Sequence, residues 1–396
     1  MADTTSESDG NNRAVLASIL SSRFTYALNW YTVSPALLLM VAAYGVSNSY
    51  SGLIMSSFLL AVGIFQIPSG ILSSRYGSKP VAMNGLLLLS LFSIATPFAP
   101  DFAILLLFRF IAGMGAAMFF APAIGILSSF VSEKDRTGAI GYYNAAFQMG
   151  AGFAILFWPL LMHYTGWRSG VIIGGVLCLA TYVISMATVK MERAQENAAT
   201  GVTLHEIALV LRNRQIWIIS IGFIGIWGTF TAASSYLYIY SVTYLRVDSS
   251  IASILSSLIL FVGLIGGAIT GPLHRHIKNA RTLLILVSCL FSASLLLFLI
   301  DNIVAAATGG VLLGVLFTAG VSITYALPAH MRSIGLKNIP LAVSLVNGIQ
   351  VMCGFWVPFA FGAIAFSYGF HEAWAAMILI SIAFVPLYFI LPKTIG

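Results

Sequence analysis

Twelve stretches of this chain are long and apolar enough to cross a bilayer, and little sequence is left between them. They run roughly over 14–43, 50–73, 81–99, 102–129, 138–162, 169–190, 215–243, 250–272, 282–299, 303–329, 339–366 and 373–391, close to or above the ~20 apolar residues that a spanning helix needs. Only 8% of residues are charged, against about 25% in soluble domains. A surface with so few charges would not stay in water, so lipid must surround most of the chain. In lipid the backbone polar groups have to be satisfied within the protein, which leaves helices or closed barrels. Runs of this length are helices, so the expected fold is an all-α polytopic membrane protein.

An even number of crossings puts both termini on one side and lets the loops be sorted by charge. One side collects fifteen Lys and Arg residues, the other only Arg168 and Arg246. By the positive-inside rule the basic side, with both termini, is cytoplasmic, and a plasma-membrane location is expected. The sorting accounts for the net charge of +7 without a nucleic-acid partner. The lipid bilayer is the expected surrounding, and a monomer is the expected state. The polar opening, residues 1–13, reads as a disordered cytoplasmic tail. The apolar stretch after Arg13 is too long for a signal-peptide core and is read as a retained first span. Cys178, Cys289 and Cys353 are scattered through apolar runs with neither metal nor disulfide spacing, and no metal or cofactor is expected.

The longest loop, 191–214, follows the sixth span and divides the chain into six-helix bundles at 14–190 and 215–396. The halves echo each other. Ser56-Ser57…Gly63 lies 200 residues before Ser256-Ser257…Gly263, and the same offset carries Arg75 onto Arg275. Asn144…Gln148…Trp158-Pro159 is echoed more weakly by Asn347…Gln350…Trp356-Val-Pro358. A six-plus-six duplication is the arrangement expected of a transporter that rocks about a central site.

The loop Gly70-Ile-Leu-Ser-Ser-Arg75-Tyr-Gly77-Ser-Lys79 resembles the cytoplasmic signature of the major facilitator superfamily, G-x-L-[AS]-D-R-x-G-x-[RK], with Ser74 in place of its aspartate. The resemblance implies twelve helices in two pseudo-symmetric bundles. It also implies a gate in which Gly70 permits close helix contact, Gly77 a tight turn, and Arg75 and Lys79 a latch between the halves. Arg109…Gly113-Met-Gly115-Ala116, Phe120-Ala-Pro122 and Gly166-Trp167-Arg168 are similar to spans four to six of the branch that carries organic anions, the anion:cation symporters. Ala116 stands where that branch has a glutamate. Its first-span arginine, nine residues before a proline, is displaced here to Arg23, three residues earlier relative to Pro35. Phe157-Trp158 replaces the glycine expected of the drug-exporting branch.

Only Arg23 and Arg109 are ionisable groups well inside spans, while all twelve acidic residues fall in the tail, the loops or span ends. Burying a charge at membrane depth costs at least ~2.5–3.5 kcal/mol, and such residues usually face a cavity and a partner. With no carboxylate at hand, an anionic substrate supplies one. Two plainer readings compete: Arg23 can snorkel to the headgroups, and Arg109 can bond backbone carbonyls and steady the bundle. Helical spacing adds further cavity candidates: Tyr26 and Trp30 on the Arg23 face, Asn144 and Gln148, the stripe Trp227, Thr231, Ser234 and Tyr238, and Asn347 with Gln350. Amides, hydroxyls and rings suit a carboxylate on an apolar body. The expected function is alternating-access transport of a small organic anion, a carboxylate. It would work by exchange, uniport, or symport with the proton on the substrate, since no side-chain acid offers a proton relay. The alternatives are an exporter of hydrophobic or drug-like compounds and a non-transporting membrane receptor or scaffold. No nucleophile–base pair or phosphate loop indicates an enzyme.

Overall fold

A computed structural model describes residues 2–131, 136–190, 208, 210–266, 279–331 and 339–391. Among these the chain is helical throughout, with eleven helices long and apolar enough to cross a membrane. One of them, Ala139–Thr188, is 50 residues long and changes direction at Gly166, where φ is 79°. Only glycine takes that conformation without strain, so two helices joined at this kink serve as the two crossings expected over 138–162 and 169–190.

We number the main helices α1 (Ala2–Tyr31), α2 (Leu37–Ala43), α3 (Ser51–Tyr76), α4 (Ser78–Ala95), α5 (Phe102–Ser129) and α6 (Arg136–Thr188) in the first half. The second half holds α7 (Arg214–Gly222), α8 (Ile224–Ile239), α9 (Ser249–Phe261), α10 (Ala280–Ser294), α11 (Ile303–Ala326), α12 (Ile339–Gly354), α13 (Val357–Ser367) and α14 (Phe370–Ala383). Helix α1 begins at Ala2, so the backbone of the polar tail continues the first helix, where composition favoured disorder. The first span breaks where Pro35 sits in a short 3-10 turn, Ser34–Ala36, because proline has no N–H to carry the ladder onward. Most of the inter-bundle loop 191–214 and the loops carrying Lys134, Arg275, Lys278, Arg332 and Lys337 lie outside the described residues.

Packing within the first half uses one polar stripe of α1. Ser22 Oγ meets Ser185 Oγ at 2.9 Å, Thr25 Oγ1 meets Thr181 Oγ1 at 2.8 Å, and Asn29 Nδ2 donates to the Gly174 carbonyl at 2.8 Å. These three residues ascend α1 at helical spacing while their partners descend α6, as antiparallel neighbours must. Interhelical bonds of this kind average ~0.6 kcal/mol in a membrane protein. Thr181→Val is therefore expected to lower the Tm in a thermal unfolding scan by only about 1–2 °C and to leave transport intact. The ladder fixes the rotation of α1, which turns the neighbouring stripe Arg23, Tyr26 and Trp30 toward the interior.

The two halves meet along two seams. On one, Ser56 Oγ donates to the Phe355 carbonyl at 2.5 Å, and a methyl group added at Gly63 would overlap the Met352 backbone. On the other, a methyl at Gly152 would meet the Phe261 ring at 2.6 Å, and Gln148 Nε2 donates to the Leu260 carbonyl at 3.4 Å. Gly63 and Gly263, separated by the 200-residue offset, thus lie on opposite seams, and a methyl at Gly263 would clash with Gln148. At Gly70, among the described residues, nothing lies within 4 Å of a Cβ built there. The close approach falls instead at Gly52 and Gly63 of the same helix, because α3 reaches α12 and α13 earlier along its length. Gly77 links α3 to α4 at φ 93°, a turn that does require glycine. Arg75 is exposed and rests on the Tyr76 ring at 5.4 Å, and Lys79 is half-buried.

Candidate substrate site

Arg23 sits in a cage of rings. Its guanidinium carbon lies 4.4 Å from the centroid of Tyr26, 4.8 Å from Phe120, 4.6 Å from Tyr143 and 4.5 Å from Phe147. Helices α1, α5 and α6 supply these rings, all from the first half. A ring face attracts a desolvated cation by ~2 kcal/mol or more. Four rings together therefore match or exceed the ~2.5–3.5 kcal/mol charged-residue penalty of the insertion scale. Arg23 is 4% exposed, which excludes snorkelling to the headgroups in this conformation. Rings do not use the in-plane N–H donors, and among the described residues Nε and Nη1 have no hydrogen-bond partner.

In the second half, the Tyr325 hydroxyl of α11 donates to Asn347 Oδ1 of α12 at 2.7 Å. Further toward the basic-poor face, Tyr31 and Ser234 join the halves through their hydroxyls at 3.2 Å, and Ser51 Oγ meets the Tyr236 hydroxyl at 2.9 Å.

Arg109 occupies a different depth. It shares α5 with Phe120, but eleven residues earlier, about 16 Å along the helix axis. It is 1% exposed and lies 4.5 Å from the Phe58 ring centroid, with Nε and Nη2 unpartnered. The two arginines therefore do not share one chamber. They are connected by rings, with Tyr26 5.9 Å from Trp30 and Trp30 5.1 Å from Phe58 between centroids.

The other sequence candidates are distributed unevenly. Tyr26 and Trp30 belong to the ring cluster, and the Trp30 Nε1 is buried without a partner. Gln148 lies on a seam, whereas Asn144 is exposed and stands outside the cage; one residue of helix rotation, ~100°, separates it from Tyr143. Thr231 Oγ1 is spent on the Trp227 carbonyl at 2.9 Å, and Trp227 packs beside Gly354. Tyr238 is half-buried toward the basic-poor end. Gln350 is fully buried with both amide atoms unpartnered. Phe120, Tyr143 and Phe147 of the ring cage, and Tyr325, are not among the sequence candidates. The signal available for two of them was the i,i+4 aromatic pair at 143 and 147, overshadowed by the adjacent polar pair at 144 and 148. Among the described residues no group of three or more His, Cys, Asp or Glu could hold a metal ion.

The profile of the Major Facilitator Superfamily matches residues 19–350. The chain belongs to that superfamily. It is similar to the probable L-galactonate transporter of Escherichia coli, at 26% identity over 61% of this chain and 56% of that protein. Shorter matches reach the 4-hydroxybenzoate transporter PcaK of Pseudomonas aeruginosa, 28% identical over 46% of this facilitator and 37% of PcaK. The niacin transporter NiaP of Acinetobacter baylyi is 30% identical over 37% and 33% respectively. The matches thus span about half of the first relative and about a third of the other two. A bacterial homolog of the human lysosomal transporter Spinster, solved in an inward-facing, unoccupied conformation, superposes with a TM-score of 0.78 at 16% identity over 96% of each chain. At that identity the likeness concerns the fold alone.

Proposed function

We propose that this facilitator is a secondary transporter that moves a small organic anion, a carboxylate, by alternating access about Arg23, with both termini in the cytoplasm. One observation carries the reading. Among the described residues, the buried Arg23 guanidinium has no acidic partner, and its Nε and Nη1 are unpartnered. The four acidic side chains described, Asp101, Asp248, Asp301 and Glu372, are all exposed and lie at the basic-poor ends of the helices. An incoming carboxylate would accept from the unpartnered donors in charge-assisted bonds, while Tyr325, Asn347 and Gln350 approach from the second half. Rocking the halves would then open the cage to one face or the other. The compounds named for the three relatives, L-galactonate, 4-hydroxybenzoate and niacin, are all carboxylates at neutral pH. A cationic drug would be repelled by the same arginine, which disfavours the exporter reading.

The test is uptake of these three labelled carboxylates into proteoliposomes, corrected by protein-free vesicles. At least one is expected to enter at ten times the rate of its uncharged amide. Equal handling of acid and amide, or no uptake of any of the three, would sink the reading.

A further inference from the structure

The Arg23 cage carries a consequence for the transport cycle, resting on the proposed function above. Any carrier that rocks must at some moment seal its central site from both faces. When loaded, the substrate carboxylate compensates Arg23 at that moment. When empty, a bare guanidinium would have to give up its water with nothing in return, and such a carrier would return only with a second anion aboard. Here the compensation is built into the protein. Tyr26, Phe120, Tyr143 and Phe147 surround the guanidinium at 4.4–4.8 Å.

All four rings stand on α1, α5 and α6, within the same half as Arg23 itself. That half is tied internally by the Ser22–Ser185 and Thr25–Thr181 bonds and by Tyr143, whose hydroxyl donates to the Phe120 carbonyl at 3.0 Å. When the halves rock apart, Tyr325 and Asn347 leave with the second half but the rings travel with the arginine. We infer that the cage lets the unloaded carrier reorient, so that this facilitator performs net transport of its anion and is not an obligate exchanger.

The experiment uses the full chain in proteoliposomes preloaded with whichever labelled carboxylate, L-galactonate, 4-hydroxybenzoate or niacin, is taken up fastest. Efflux is measured into substrate-free buffer and into buffer holding the same compound unlabelled. For the natural chain the net rate is expected to lie within threefold of the exchange rate. Phe120→Leu keeps bulk but removes one ring. Both of its rates are expected to fall, the net rate about tenfold further than the exchange rate, because the loaded form retains its carboxylate and the empty form does not. Phe98→Leu removes an exposed ring outside the cage and should keep both rates and their ratio. Exchange at least tenfold faster than net efflux in the natural chain overturns the inference while leaving anion transport standing. Equal loss of both rates in Phe120→Leu, with Phe98→Leu unchanged, overturns it as well. Absence of uptake for all three compounds removes the underlying reading instead.

Discussion

Arg23→Ala is expected to lower carboxylate uptake at least a hundredfold while the chain still folds. The loss follows from the donors. Hydrogen bonds to a charged group contribute ~1.5–3 kcal/mol each, and every 1.4 kcal/mol is tenfold in affinity. Two such bonds to a carboxylate therefore account for two orders of magnitude without any change in fold. Stability is expected to fall as well, because removing the buried guanidinium gives up the attraction of four rings and leaves a cavity between them. Arg23→Met, which fills more of that space, should lose less in Tm. Arg23→Lys restores the charge but not the planar fork, and a point charge is no equivalent at such a site, so only partial recovery is expected. Arg109→Ala provides the contrast. About 16 Å along the bundle from the Phe120 level of the cage, Arg109 touches Phe58 and not the rings around Arg23, and its removal should cost less than tenfold in substrate affinity. Binding measured by thermal shift with the transported carboxylate separates the cases. A hundredfold loss in Arg109→Ala with binding retained in Arg23→Ala would place the anion at the wrong arginine.

The fold was legible because it depends on sums. Hydropathy over twenty residues, fifteen basic residues against two, and a repeat at an offset of 200 each average over many positions, so no single side chain decides them. The site depends on rotations and depths that such sums do not fix. One residue turns a helix by ~100°, and this alone decides that Tyr143 faces Arg23 while Asn144 is exposed. The polar pair at 144 and 148 drew attention because amides in an apolar span are conspicuous, yet the cation is held by the less conspicuous rings at 143 and 147. Depth was hidden in the same way. Arg23 and Arg109 both read as charges within spans, and only the shared helix α5 reveals that one lies level with Phe120 and the other near Phe58. Motif reasoning pointed to Gly70, whereas among the described residues the contacts that leave no room for a side chain on this helix are made at Gly52 and Gly63.

Gly52→Leu is expected to abolish transport, by about a hundredfold, through the seam and not the site. A Cβ at Gly52 would overlap the Pro358 carbonyl and lie 2.5 Å from the Phe359 Cα. These are backbone atoms of the opposite half, which cannot turn aside as a flexible side-chain tip can. Nearby contacts show that this end of the bundle is drawn tight: Ser51 to Tyr236 at 2.9 Å and Ser49 Oγ to Ser367 Oγ at 3.1 Å. Overpacking costs ~1–3 kcal/mol even where neighbours can relax, and against backbone the upper figure applies. The penalty falls only on the conformation in which the seam is closed, because an alternating-access carrier opens this face in the other. A bias of ~3 kcal/mol shifts that equilibrium by roughly 150-fold, and a carrier held on one side of its cycle does not turn over. Arg23 and its cage are untouched, so carboxylate binding should survive. Thiol labelling decides the matter. In a background with Cys289 and Cys353 replaced by serine, Ser234→Cys places a probe at a position now buried and bonded to Tyr31. A membrane-impermeant reagent applied from the basic-poor face should label it at least tenfold faster once Gly52 is leucine. Unchanged labelling together with normal transport would show that the closure at Gly52 is not part of the cycle.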